Sequence, residues 1–154
     1  MMHSLLRGAA AGAAGTTALD AAAYADMALR GRPASDVPAQ AADRLTEDVG
    51  LRVGGTGETR GNRLSGIGAL SGIGVGVATG VVVSLAHRVG LRLPWWAGSL
   101  VTGVLAMAAT DASLTRLGVT DPTTWSPKDW ASDVVPHLVF GAVTYGVVAG
   151  ERRC

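Results

Sequence analysis

The chain has 154 residues, a formal net charge of +1, 48% apolar residues and only 16% charged ones, against about 25% charged in an ordinary soluble domain. That leaves no strong electrostatic field for nucleic acid, and the single cysteine, Cys154, excludes an internal disulfide framework or a multi-cysteine metal site. Glycine is abundant, at 22 residues, and the apolar residues gather into long blocks, the pattern of an integral membrane protein.

A helix needs about 20 mostly apolar residues to cross a hydrocarbon core, and four blocks have that length: 5–29, 64–86, 93–114 and 131–150. The expected fold class is an all-α membrane protein, a four-transmembrane-helix bundle forming a single membrane domain over 1–154. The first block is the least apolar. It is built on Ala and Gly and carries Asp20 and Asp26. Arg7 followed by small residues, with Ala21 and Ala23 as an A-x-A site, loosely fits a secretory signal. The segment has no leucine-rich centre, however, and Asp20 falls where a signal is apolar, so it is read as a span shielded by the others.

A polar loop, 30–63, follows. Pro33 ends the first helix because proline cannot continue it. Pro38 then opens an amphipathic stretch, Ala39 to Val49, with Ala42, Leu45 and Val49 on one face, read as an interfacial helix. The tight link Arg88–Arg92 makes the second and third spans antiparallel neighbours. Pro94-Trp95-Trp96 opens the third, with indoles at headgroup level. Thr120 to Trp130, with Trp125 and Trp130 as anchors, is expected to hold a second short interfacial helix. Lys and Arg are divided too evenly between the two sides to set an orientation.

Block two carries Gly68, Gly72, Gly76 and Gly80 at four-residue spacing, continued by Ser84. These fall on one helix face. Between helices in lipid, association depends on close packing, which small residues permit, so the row predicts a helix-packing groove. Block four carries Asp133, His137, Gly141 and Tyr145 at the same spacing. Gly76, Thr79, Val82 and Arg88 match Gly141, Thr144, Val147 and Arg153 at a constant offset of 65, so a duplicated helical hairpin is one reading of the chain. The offset pairs the empty glycine stripe with the filled polar one and predicts that the two lie together.

The candidate buried polar site is Asp20, Tyr24, Asp111, Asp133 and His137. Charges at membrane depth cost at least ~2.5 kcal/mol each on insertion scales and take partners. Asp20 and His137 fall at similar depth, so a hydrogen-bonded Asp20–His137 pair is one expectation, serving either to fix helix register or to handle protons. Asp26 with Arg30, and Asp111 with Thr115 or Arg116, read as helix-end pairs. No metal-ligand spacing joins the acidic residues and histidines, and no catalytic motif or cofactor fingerprint is present. Gly66-Ile67-Gly68 has no preceding strand, and Gly54-Gly55-Thr56-Gly57 lacks the Gly-Lys-Ser/Thr ending of a phosphate loop.

Three features together carry a resemblance: the Ala/Gly opening from Gly8 to Gly15, the Arg30-Gly31-Arg32-Pro33 exit, and Gly118-Val119-Thr120-Asp121-Pro122 running to Trp130, Asp133, Pro136-His137 and Gly141. The arrangement resembles small uncharacterised integral membrane proteins of actinobacteria and, more distantly, the YagU-like family of bacterial inner-membrane proteins, whose long insertions with a Pro-Pro-Arg segment are absent here. The resemblance implies a multi-helix plasma-membrane protein and supplies no catalytic residues. The expected function is a structural or partner-binding helical bundle. The alternative is a small transporter or proton-linked channel using buried Asp and His. The expected partners are the lipid bilayer and a homo-oligomer or another membrane protein, without nucleic acid, metal or cofactor.

Overall fold

In the computed structural model, which describes residues 1–150, five α-helices account for most of the chain, and no strand occurs among the described residues. They are α1 (Met2–Arg30), α2 (Val37–Asp48), α3 (Gly57–Arg88), α4 (Trp95–Arg116) and α5 (Pro127–Ala149). Three of them, α3, α4 and α5, are long and apolar enough to cross a membrane. The 29-residue α1 has the length, but its Ala, Gly, Thr and Asp content leaves it short of that apolarity.

The helix ends follow local chemistry. Gly31 takes the left-handed conformation, φ 63°, that closes α1. Beyond α3, Gly90 at φ 105° makes the turn into the α4 link. The third helix begins at Gly57, seven residues before the apolar block, because Glu58 to Arg63 are compatible with helix and Glu58 suits its first turn. Ser126 and Asp129 cap α5 reciprocally, with Pro127 in its first turn. The amphipathic stretch after Pro38 forms α2, as its periodicity predicts.

The third loop departs from expectation. It holds only a 3-10 turn, Pro122–Thr124, in place of an interfacial helix. Asp121 turns the chain there by accepting from the Thr123 hydroxyl at 2.7 Å and the Thr123 N–H at 3.0 Å. Those bonds, the hydroxyl's first, hold its carboxyl below the usual carboxylate range. The Trp125 and Trp130 rings meet edge to face at 5.1 Å.

In the packing, α1 lies against both α3 and α5, and α4 lies against α5. Contacts of α3 with α4 and α5 are sparse, and α2 rests on α3. Phe140, 1% exposed, fills the junction of α1, α3 and α5 beside Gly15 and Gly76. The outer end of α1 is tied down by polar contacts: Arg30 donates to Ser132 at 2.7 Å, and Asp26 pairs with Arg30 and Arg32. At the other end, the Arg7 guanidinium donates to the Val147 carbonyl at 2.8 Å.

Candidate functional site

Two helix crossings dominate the interior, and both are made by glycine. A Cβ built on Gly80 would overlap the Gly8 carbonyl oxygen and lie 2.6 Å from Gly12 Cα. One built on Gly12 would lie 2.8 Å from Val77 Cα and overlap the Gly76 carbonyl. In α4 and α5 the same pattern recurs. A Cβ on Gly141 would overlap the Ser99 carbonyl and lie 2.9 Å from Gly103 Cα, and one on Gly103 would lie 2.6 Å from the His137 carbonyl. Backbone therefore touches backbone at both crossings, a spacing that any side chain would prevent.

The crossings superpose residue by residue. Gly80 and Gly76 correspond to Gly141 and His137, 61 residues on; Gly8 and Gly12 correspond to Ser99 and Gly103, 91 residues on. At the far end of each, a hydroxyl on the second helix bonds backbone at or just before the start of the first. Ser84 Oγ donates to the Ser4 carbonyl at 2.9 Å, and Tyr145 OH donates to the Leu93 carbonyl and accepts from the Leu93 N–H, both at 2.9 Å. The contacts pair α3 with α5 at an offset of 61, not the 65 that the Val and Thr matches suggest. A four-residue slip keeps the same helix face and moves the match by about one turn. The Arg88–Arg153 match of the earlier offset lies outside the described residues.

The predicted glycine row divides its work. Gly76 and Gly80 meet α1, and Gly68 meets the Pro38 carbonyl at the start of α2, but Gly72 has no atom within 4 Å of its Cβ position. The expected seating of the polar α5 stripe in the α3 groove is not what occurs. Asp133, His137, Gly141 and Tyr145 face α4, where a Cβ on Gly98 would run into the Tyr145 ring. The glycine face of α3 is occupied by the smaller side of α1, whose glycines allow a closer approach than the α5 stripe does.

The expected Asp20–His137 pair is also absent. His137 Nδ1 lies 2.9 Å from the Asp133 carbonyl oxygen and 3.4 Å from Asp133 Oδ1. A carbonyl only accepts, so Nδ1 carries the proton. Asp111, 9% exposed, interacts electrostatically with both Asp133 and His137 across the α4–α5 interface, in place of the helix-end pairing with Thr115 or Arg116. One imidazole and two carboxylates thus share this interface, and Asp133 Oδ2 is buried without a hydrogen bond among the described residues. Tyr24 does not belong to this group: it is 63% exposed. Asp20 sits on α1, half-buried and apart from the others.

Among the described residues, no three His, Cys, Asp or Glu side chains converge as a metal site. Two cavities, of about 520 and 610 Å³, lie around α2 and its flanking loop, lined in part by Asp36, Asp43, Glu58 and Arg60. Neither is lined by Asp111, Asp133 or His137. Gly8 and Gly12 in the first block, and Ser99 and Gly103 in the third, stand at the same four-residue spacing in the sequence; the spacing marks their faces for packing but does not say that the first pair meets α3 and the second α5. Compared with family models, with curated proteins and with solved structures, the chain matches none.

Proposed function

We propose that the chain is a four-span integral plasma-membrane protein, made of two copies of one helical hairpin, whose role is structural or partner-binding. The paired glycine crossings carry this reading. They join α1 to α3 and α4 to α5 with the same backbone contacts, so α1 stands where α4 stands and takes the same transmembrane role despite its lower apolarity. Thr16 is buried and Asp20 and Asp26 are half-buried where α3 and α5 pack on α1, which lowers the cost of their polar groups.

The test is topological. With Cys154→Ser as background, single cysteines at Met2 and Ser35 are labelled with a membrane-impermeant thiol reagent in sealed vesicles. Labelling from opposite sides is expected, and labelling from one side would remove α1 from the membrane.

The Asp111–His137–Asp133 group favours a second reading, a proton-linked carrier, because titratable groups at membrane depth often line transport paths. The close approach of α4 and α5 at Gly103 and His137 supports the structural reading. Proteoliposomes loaded with a pH-sensitive dye are expected to leak protons equally with the wild type and with His137→Ala. A proton flux in the wild type that His137→Ala abolishes would establish the carrier instead.

A further inference from the structure

Asp20 and Gly72 belong together by position. The two helices are antiparallel, and a Cβ on Gly76 would run into Thr16 Oγ1. One turn further along each helix, Asp20 on α1 and Gly72 on α3 come level. The helices do not close there. Nothing lies within 4 Å of the Gly72 Cβ position, and Gly72 is exposed. In the second hairpin the corresponding places hold Asp111 and Asp133, with His137 alongside. The first hairpin therefore keeps the carboxylate and lacks the groups that would answer it.

Asp20 makes no hydrogen bond or ion pair with any described residue. It lies ten residues before Arg30, about 15 Å along the helix and beyond the reach of headgroups. A carboxylate at that depth is costly and is stabilised by an opposite charge. Within the four apolar blocks the chain has a single lysine or arginine, Arg7, which lies thirteen residues before Asp20, about 20 Å along α1, and donates to the Val147 carbonyl, so a second copy packed in parallel brings no such charge to this level. The neighbouring α3 surface is small and uncovered, with Ser71, Gly74 and Ala78 exposed on one side, which admits another helix closely.

We propose that the notch between Asp20 and Gly72 receives a transmembrane helix of a different protein, one that places a lysine or arginine at mid-membrane against Asp20. This rests on the four-span reading, since Asp20 must lie within the bilayer.

The test uses the full chain, labelled with a donor fluorophore at Cys154, in phosphatidylcholine vesicles. The probe is an acceptor-labelled leucine–alanine transmembrane peptide with one central lysine, and its counterpart has leucine there. The lysine peptide is expected to associate roughly tenfold more tightly than the leucine peptide. Asp20→Ala and Gly72→Leu should each remove that difference while melting with the wild type, because Asp20 has no hydrogen-bond or ion-pair partner among the described residues and a Cβ on Gly72 meets open space. Equal binding of both peptides, or binding of the lysine peptide that survives Asp20→Ala, would overturn the proposal. So would energy transfer between two copies of the chain that Asp20→Ala abolishes, since the notch would then serve self-association. A lowered melting temperature of Asp20→Ala would reveal an internal partner and overturn it too. If cysteine labelling shows α1 crossing the membrane and the peptide still fails to bind, only this inference falls.

Discussion

Gly80→Leu and Gly141→Leu should each destabilise the bundle by about 3 kcal/mol, the upper part of the usual range for overpacking. At both positions the first atoms met by a side chain are backbone: the Gly8 carbonyl and Gly12 for Gly80, the Ser99 carbonyl and Gly103 for Gly141. Backbone inside a helix cannot swing aside as a flexible side chain can, so the helices must separate. Separation forfeits the packing that supplies association in lipid, where the hydrophobic effect between helices is weak. Gly72→Leu is the internal control. It belongs to the same row and the same residue type, yet it meets nothing, and its stability should equal that of the wild type. Thermal unfolding in a mild detergent, followed by helix content and by protease resistance of the α1–α3 pair, separates the three variants. A Gly80→Leu protein that unfolds with the wild type would show that the crossing is not tight.

The second large effect is expected at His137. Removing the imidazole by His137→Ala leaves Asp111 and Asp133 to interact in the α4–α5 interface without the group that interacts favourably with both. Breaking a buried charged arrangement by deleting one partner costs about 3–5 kcal/mol, because the charges that remain are uncompensated. The companion variant is His137→Ala with Asp111→Asn. It removes one carboxylate as well and should regain most of the lost stability, whereas independent sites would give a change equal to the sum of the two single changes. The same unfolding assay reads this. Additivity of the two changes would show that Asp111 and His137 do not act on each other.

Three of the four apolar blocks, the amphipathic α2 and the proline- and glycine-marked helix ends were legible in the sequence, because each depends on residues close together in the chain. The four-residue spacing of Gly68, Gly72, Gly76 and Gly80 likewise marked a face for packing. What the spacing could not say is which neighbour each glycine meets. Gly68 meets α2, Gly76 and Gly80 meet α1, and Gly72 meets nothing. The candidate polar site shows the same division. Its residue types were readable as costly in a membrane, but Asp20 and His137 share only a depth, and depth alone does not bring two helices into contact.

The offset between the glycine contacts of α3 and those of α5 shows where local information ends. Matching Val and Thr residues gave 65, and the contacts give 61. Both keep the same helix face, since four residues are close to one turn. Composition and periodicity determined that the chain forms long apolar helices and which sides of them are smooth, because those are properties of one helix taken alone. Which smooth side rests on which, at what height, and where a gap such as that beside Asp20 is left open were decided only by the tertiary structure. Those are set by the closest approach of two backbones, and that distance depends on side chains from segments far apart in the chain.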